Sequence, residues 1–313
     1  MTQISVPLAD PGHRPPSTPR TASSGRTGRA LSTPPGASSV PRDDVFVRRR
    51  RGLRRAFGGA AAPARRTRST RDDQELTSEL KERRSRIGEA YRSLETVFQP
   101  IVDLQSGRPV GVESLARFNL SPARPPNEWF LEAAELGLGV QLELVALRSA
   151  LEQLHRLPSG LYLSLNASPT AMMAPQFLET ITRVPADRLV LEVTEHTEID
   201  DYPRFGSAID HLRSNGARLA VDDAGSGYAS FLHVLNLRPD VIKLDIGLTR
   251  GIDADPARRA LGSALLHFGF EAYRASMVAE GIETAGELQT LRDLGCGFGQ
   301  GFYLGRPGRL PTQ

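Results

Sequence analysis

From residue 72 onward, apolar positions recur with two different periods. The first is helical: Leu76, Leu80, Ile87, Tyr91 and Leu94 fall on one face, with Asp72 or Asp73 placed to cap the start. Arg83 interrupts this stripe, which argues against a long coiled coil. A linker helix over 72–93 is expected, serving as a signalling element or dimer seam, or packed on the domain that follows. Beyond it come eight short apolar runs, at 97–104, 109–118, 161–168, 188–195, 218–224, 241–245, 276–281 and 300–305. Helical patterns lie between most of them, including 127–156, 203–214, 256–268 and 285–294. Repeated strand–helix units imply parallel strands, and eight of them fit a closed barrel of the usual ~250-residue size better than an open sheet. Only Gln105 to Arg108 join the first two strands, too few for a parallel crossover, so that pair should be an antiparallel hairpin. The expected fold is α/β, a TIM-like (β/α)8 barrel with an antiparallel first strand.

The first 71 residues have another texture. They are dense in Pro, Ser, Thr, Gly and Arg and poor in large apolar side chains, so they cannot bury enough surface to offset ordering and read as a disordered basic tail. This stretch holds fifteen arginines, no lysine and three aspartates (Asp10, Asp43, Asp44), a net charge of +12. The whole chain is only +3, which leaves residues 72–313 at −9. Its basicity is therefore a property of the tail. No aromatic residues interleave with the run from Arg48 to Arg55, so no DNA or RNA substrate is expected. No apolar run approaches the ~18 residues of a transmembrane segment. The N-terminus lacks the basic-then-apolar order of a secretory signal, and a cytoplasmic location is expected. A single cysteine, Cys296, excludes an intramolecular disulfide and a cysteine-based zinc cluster.

Candidate chemistry enters at the ends of the strands. Strands buried on both faces should read as continuous Val, Ile and Leu. These do so until their C-terminal ends, where Glu113 and Arg117, Asn166, Glu192 and Glu195, Asp222 and Asp223, Lys243 and Asp245, and Glu280 appear. An ionised group inside a strand must be paired or bind metal, and barrel strands converge at one mouth. Six strands with the same habit point to a site. Its carboxylates and amide are hard oxygen donors without histidine, which suits Mg²⁺ or Mn²⁺ and disfavours zinc. Adjacent Asp222 and Asp223 are placed to hold two ions, an arrangement suited to phosphoester hydrolysis. The six histidines are scattered without ligand spacing, and Cys296 reads as a small buried thiol.

Over residues 94–308 the chain resembles the EAL domain, a cyclic di-GMP phosphodiesterase family. An ordered series carries the resemblance: FQPIVDL, GVESLARF, NASP, LEVTE, DDAGSGYAS, DVIKLD, VAEGIET and GQGFYLGRP. The resemblance implies hydrolysis of cyclic di-GMP to linear pGpG with two Mg²⁺ or Mn²⁺. It implies that Glu113, Asn166, Glu192 and Asp222 hold one metal. Asp222 and Asp223 hold the other, with Glu280 ligating or acting as general base. Lys243 would stabilise the attacking hydroxide, and Arg117 and Gln300 would contact the ligand. Gln99 and Asp245 would line the pocket, while Glu195 and Glu283 brace the site and its loop, Glu283 through Ser226. Two places depart from the family pattern. Ser114 stands where the family has Ala, and Ala224 and Ser226 replace Phe and Thr in the loop. The family often dimerises near that loop, so the loss of its large apolar residue leaves a homodimer open. The alternative is a receptor that binds cyclic di-GMP without cutting it.

Overall fold

The computed structural model describes residues 66–194, 199, 201–224 and 228–310. The expected tail lies outside them up to residue 65. Residues 66–71, also assigned to the tail, instead begin the first helix, α1 (Arg66–Ser93). Asp72 and Asp73 are thus inside the helix and do not start it. The chain passes directly from α1 into β1 (Leu94–Asp103), turns, and returns as β2 (Pro109–Phe118).

There follow α2 (Pro126–Glu135), α3 (Gly139–Leu151), β3 (Tyr162–Asn166), α4 (Pro169–Met172), α5 (Pro175–Thr182) and β4 (Leu189–Thr194). The second half runs α6 (Tyr202–Ser214), β5 (Arg218–Ala224), α7 (Tyr228–Leu237), β6 (Val241–Leu244), α8 (Ile246–Thr249) and α9 (Pro256–Tyr273). It ends with β7 (Ser276–Ala279), α10 (Ala285–Asp293) and β8 (Phe298–Gly299). The helical pattern at 127–156 is two helices, not one. Gly137, at φ +70°, ends α2 with Leu138 N–H donating to Ala133 O and Gly137 N–H to Ala134 O.

The strands close in the order β1 to β8. β1 is antiparallel to both neighbours, β2 and β8, and every other pair is parallel. The last strand lies earlier than the apolar run at 300–305 suggests. Residues 301–305 fold into a turn, with Leu304 and Gly305 N–H both donating to Gly301 O.

Inside the barrel, Ile101, Val190, Ala220, Val241 and Val278 form an apolar layer of their own, with Tyr162 and Phe298 packed on it. The larger core lies between sheet and helices. Side chains alternate along a strand, so the next inward position in β4, β5 and β6 is two residues on: Glu192, Asp222 and Lys243. Glu280 follows Val278 in the same step just past β7, Gln300 follows Phe298 just past β8, and Gln99 precedes Ile101 in the reversed β1. Apolar packing thus fills one level of the barrel and polar groups occupy the next. No helix among the described residues is long and apolar enough to cross a membrane.

Candidate active site

The polar layer is centred on Lys243, whose side chain is 1% exposed. Its Nζ lies 2.7 Å from Glu280 Oε1, 2.8 Å from Glu192 Oε2, 3.2 Å from Asp222 Oδ1 and 3.7 Å from Glu113 Oε2. Four strand ends and the segment after β7 supply these groups, so the site exists only when the barrel closes. A second chain of bonds runs around it. Asn166 Nδ2 donates to Glu113 Oε1 at 2.8 Å, and Gln300 Nε2 donates to Glu113 Oε2 at 2.6 Å and to Gln99 Oε1 at 3.0 Å. Gln99 in turn donates to Gly305 O.

Electrostatics follow from this crowding. Burial opposes the charge of Lys243, but Asp222, Glu113, Glu192 and Glu280 together hold it protonated well above the usual lysine range. Burial pushes Glu192 up to about 8, against the pull of Lys243 and with the repulsion of Glu113 and Asp222. Glu280 is likewise raised well above the carboxylate range, first by burial and then by Asp222 and Glu113. One cation cannot neutralise four carboxylates, so burial and mutual repulsion raise Glu192 and Glu280 in spite of Lys243.

Asp223 shows how two consecutive residues reach one mouth. Strict alternation would turn it to the opposite face of β5 from Asp222. The β5–β6 register shifts between Val221 and Ala224, and Asp223 takes the left-handed conformation at φ 56°. This bulge brings oxygens of Asp222, Asp223 and Glu280 within 4.8 Å of one another. The donor set is oxygen throughout and suits a hard divalent cation.

Beside the cluster lies a cavity of about 550 Å³ reaching Asn166 and Glu192. Leu115, Pro126, Phe130 and Leu147 give it apolar walls, and Arg117 and Asn127 give it polar edges. Arg117 uses one guanidinium nitrogen to hold Ala116 O. Gln300 Oε1 is buried with no hydrogen-bond donor among the described residues.

The sequence-expected residues are therefore unevenly gathered. Gln99, Glu113, Asn166, Glu192, Asp222, Lys243, Glu280 and Gln300 form one bonded network, and Asp223 joins through the acidic group. Asp245 is not bonded into it; its carboxylate caps α8 through Gly247 N–H. Glu283 is exposed and pairs with Arg250 at 2.5 Å. Glu195 and Ser226 lie outside the described residues. Cys296 is fully buried, its thiol pushed up to about 12 by burial, as a structural thiol should be.

Two further residues belong to the site. Ser164 donates to Glu192 Oε1 at 2.5 Å; it sits two residues before Asn166, so alternation alone points to it. Glu143 on α3 lines the cavity and accepts both the N–H (2.7 Å) and the Oγ–H (2.8 Å) of Ser168, fixing the segment that follows Asn166. No local sequence signal marks Glu143.

The family model described as "EAL domain" matches residues 83–307. A cyclic di-GMP phosphodiesterase of Pseudomonas aeruginosa is 34% identical over 234 residues, covering 69% of this chain and 38% of that protein. The probable cyclic di-GMP phosphodiesterase PdeG of Escherichia coli is 30% identical over 228 residues, covering 67% of this chain and 44% of that protein. The chain thus spans less than half the length of either relative. Among solved structures, the PaMucR phosphodiesterase in complex with cyclic di-GMP superposes with a TM-score of 0.63 at 28% identity, over 75% of this chain and 98% of that one. A manganese and cyclic di-GMP complex of Klebsiella pneumoniae BlrP1 gives 0.61 at 27% identity, over 69% and 56%. With the model match covering most of its length, this chain belongs to the EAL domain family.

Proposed function

We propose that this chain hydrolyses cyclic di-GMP to linear pGpG, using two Mg²⁺ or Mn²⁺ ions, through residues of a catalytic domain spanning 94–308. The observation that carries this reading is four carboxylates gathered around one buried lysine at the barrel mouth, beside a cavity with apolar walls. Glu113, Asn166, Glu192 and Asp222 would hold one ion, and Asp222, Asp223 and Glu280 the other. Divalent cations bound there would acidify a water and offset charge on the phosphoryl oxygens.

The chain's own groups do the rest. The cavity would receive part of the nucleotide against Phe130 and Pro126, with Arg117 at its edge near the phosphodiester. Gln300, whose Nε2 holds Gln99 and Glu113, would contact the ligand beside the cluster. The water oxygen attacks phosphorus as the bond to one ribose 3′-oxygen breaks. Glu280, ionised once cation charge offsets its neighbouring carboxylates, would take the water's proton, and the leaving 3′-oxygen would gain one from solvent. Lys243, between Glu192 and Glu280, orients the attacking oxygen. Asp245 and Gln99 would frame the pocket, and Glu195 and Glu283 would brace its rim, Glu283 from its exposed pairing with Arg250. In the same reading the domain works in the cytoplasm behind its linker helix. It can assemble as a homodimer through the apolar Leu232 and Leu235 exposed on α7.

Incubation of the purified protein with cyclic di-GMP and Mn²⁺ or Mg²⁺, followed by chromatography, tests this directly. Metal-dependent pGpG that vanishes with EDTA is expected. Intact nucleotide that nevertheless binds would make the chain a receptor.

A further inference from the structure

Among the described residues outside the barrel mouth, a dense charge cluster lies between α1 and α2. Glu132 of α2 has a side chain only 8% exposed. Its Oε1 accepts from Arg83 Nε at 3.0 Å and Arg86 Nη2 at 3.1 Å, both on α1, and its Oε2 accepts from Arg124 Nη1 at 2.6 Å. Arg83 also reaches Glu135 at 2.5 Å, Arg84 donates to Leu136 O, and Tyr91 O–H donates to Leu138 O. Every one of these α1 donors ends on α2 or the turn after it.

The same helix forms a wall of the cavity. Pro126, Asn127 and Phe130 face that space, while Trp129 and Ala133 are buried with Ile87 and Ala90 of α1. Of the described α1 side chains only Ile87 and Ala90 are fully buried, so the apolar contact is small and the polar one is a large part of the attachment. β1, by contrast, is held along its length by β2. A displacement of α1 therefore passes to α2 before it reaches Gln99.

We propose that Glu132 is a positioning residue for substrate: through it α1 holds α2, and α2 sets the cavity wall, so α1 tunes how tightly the ligand is held without touching the carboxylate cluster. This rests on reading the cavity as the ligand's seat. A charge-based latch of this kind is coupled to both ends because the planar guanidinium forks hold the Glu132 carboxylate in a fixed geometry.

The test uses the full chain. Steady-state hydrolysis of cyclic di-GMP in Mn²⁺ is compared for wild type, the double variant Arg83→Ala/Arg86→Ala, Glu132→Gln, and Glu79→Ala as an exposed control on the same helix. KM is expected to rise about fivefold or more in the double variant and in Glu132→Gln. Meanwhile kcat stays within about twofold, and the control matches wild type. Arg83→Lys/Arg86→Lys, which keeps the charge, should fall between. An unchanged KM with kcat lowered in step with the folded fraction would mean a structural role only and overturn the proposal. Hydrogen exchange over residues 126–135 supplies a readout that needs no substrate: it should quicken in the double variant, and wild-type protection there would also overturn the latch. If wild type itself fails to hydrolyse, the proposed function falls while the exchange measurement still decides the latch.

Discussion

The two charged centres of this molecule are inverses of each other. At the barrel mouth one ammonium is surrounded by four carboxylates; on the flank one carboxylate is surrounded by three guanidiniums. They differ most in access to water. Lys243 and Glu192 are each 1% exposed, whereas Arg83, Arg86 and Arg124 keep 24%, 46% and 25% of their side chains in solvent. The guanidiniums on the flank are partly hydrated and are shared with Glu135 and Glu128, and Glu132 is held at about 2: burial alone would raise it, but hydrogen bonds from Arg124, Arg83 and Arg86 outweigh that. At the mouth the excess has no such outlet, and carboxyls shift upward instead. Charges that solvent and opposite partners balance make a fastening. A surplus sealed in a barrel makes a site that recruits cations.

The contrast can be broken most severely at the mouth. Glu113→Ala or Glu280→Ala should lower kcat by at least about a hundredfold, and retained pGpG formation in either would end the assignment. Removing the central ammonium comes next. Lys243→Ala should destabilise the metal-free protein by on the order of 3 kcal/mol in denaturant titration, because three buried carboxylates and Glu280 lose the one cation that pairs with them among the described residues. Added Mn²⁺ should restore much of that stability, and turnover should fall more than ligand affinity does; a pure affinity loss would contradict the role given to Lys243. The smallest effect belongs to the flank. Glu132→Gln should be less stable than wild type by ~1–3 kcal/mol near neutrality. The carboxyl sits at about 2 when folded against 4.5 when unfolded, so its contribution is complete above 4.5 and is lost as pH falls toward 2. The gap between the two proteins should close over that window and nowhere above it.

Much of the site was legible because strand periodicity is local. Val190 with Glu192, Ala220 with Asp222, and Val241 with Lys243 show the step from apolar to polar level within three residues, and that step places them on one face. Other features needed tertiary information. Alternation puts Asp223 on the wrong face, and only the bulge with its left-handed backbone corrects it. The run at 300–305 has the composition of a strand, yet its glycines close a turn, while the short Phe298–Gly299 does the pairing. Ser164 was within reach of the alternation rule. Glu132 was not: two of its arginines lie 49 and 46 residues away in sequence, and a lone Glu in an amphipathic helix reads as solvent-facing.

The reversed direction of β1 fixes a polarity for the whole chain. Its first residue, Leu94, pairs with Phe118 at the far end of β2, which is the rim that carries the carboxylates. A parallel first strand would instead have begun at the opposite rim, ~30 Å away for a strand of this length. The end of α1 therefore enters the sheet at the rim that carries the carboxylates. A push along α1 thus meets the polar rim before the apolar layer beneath it.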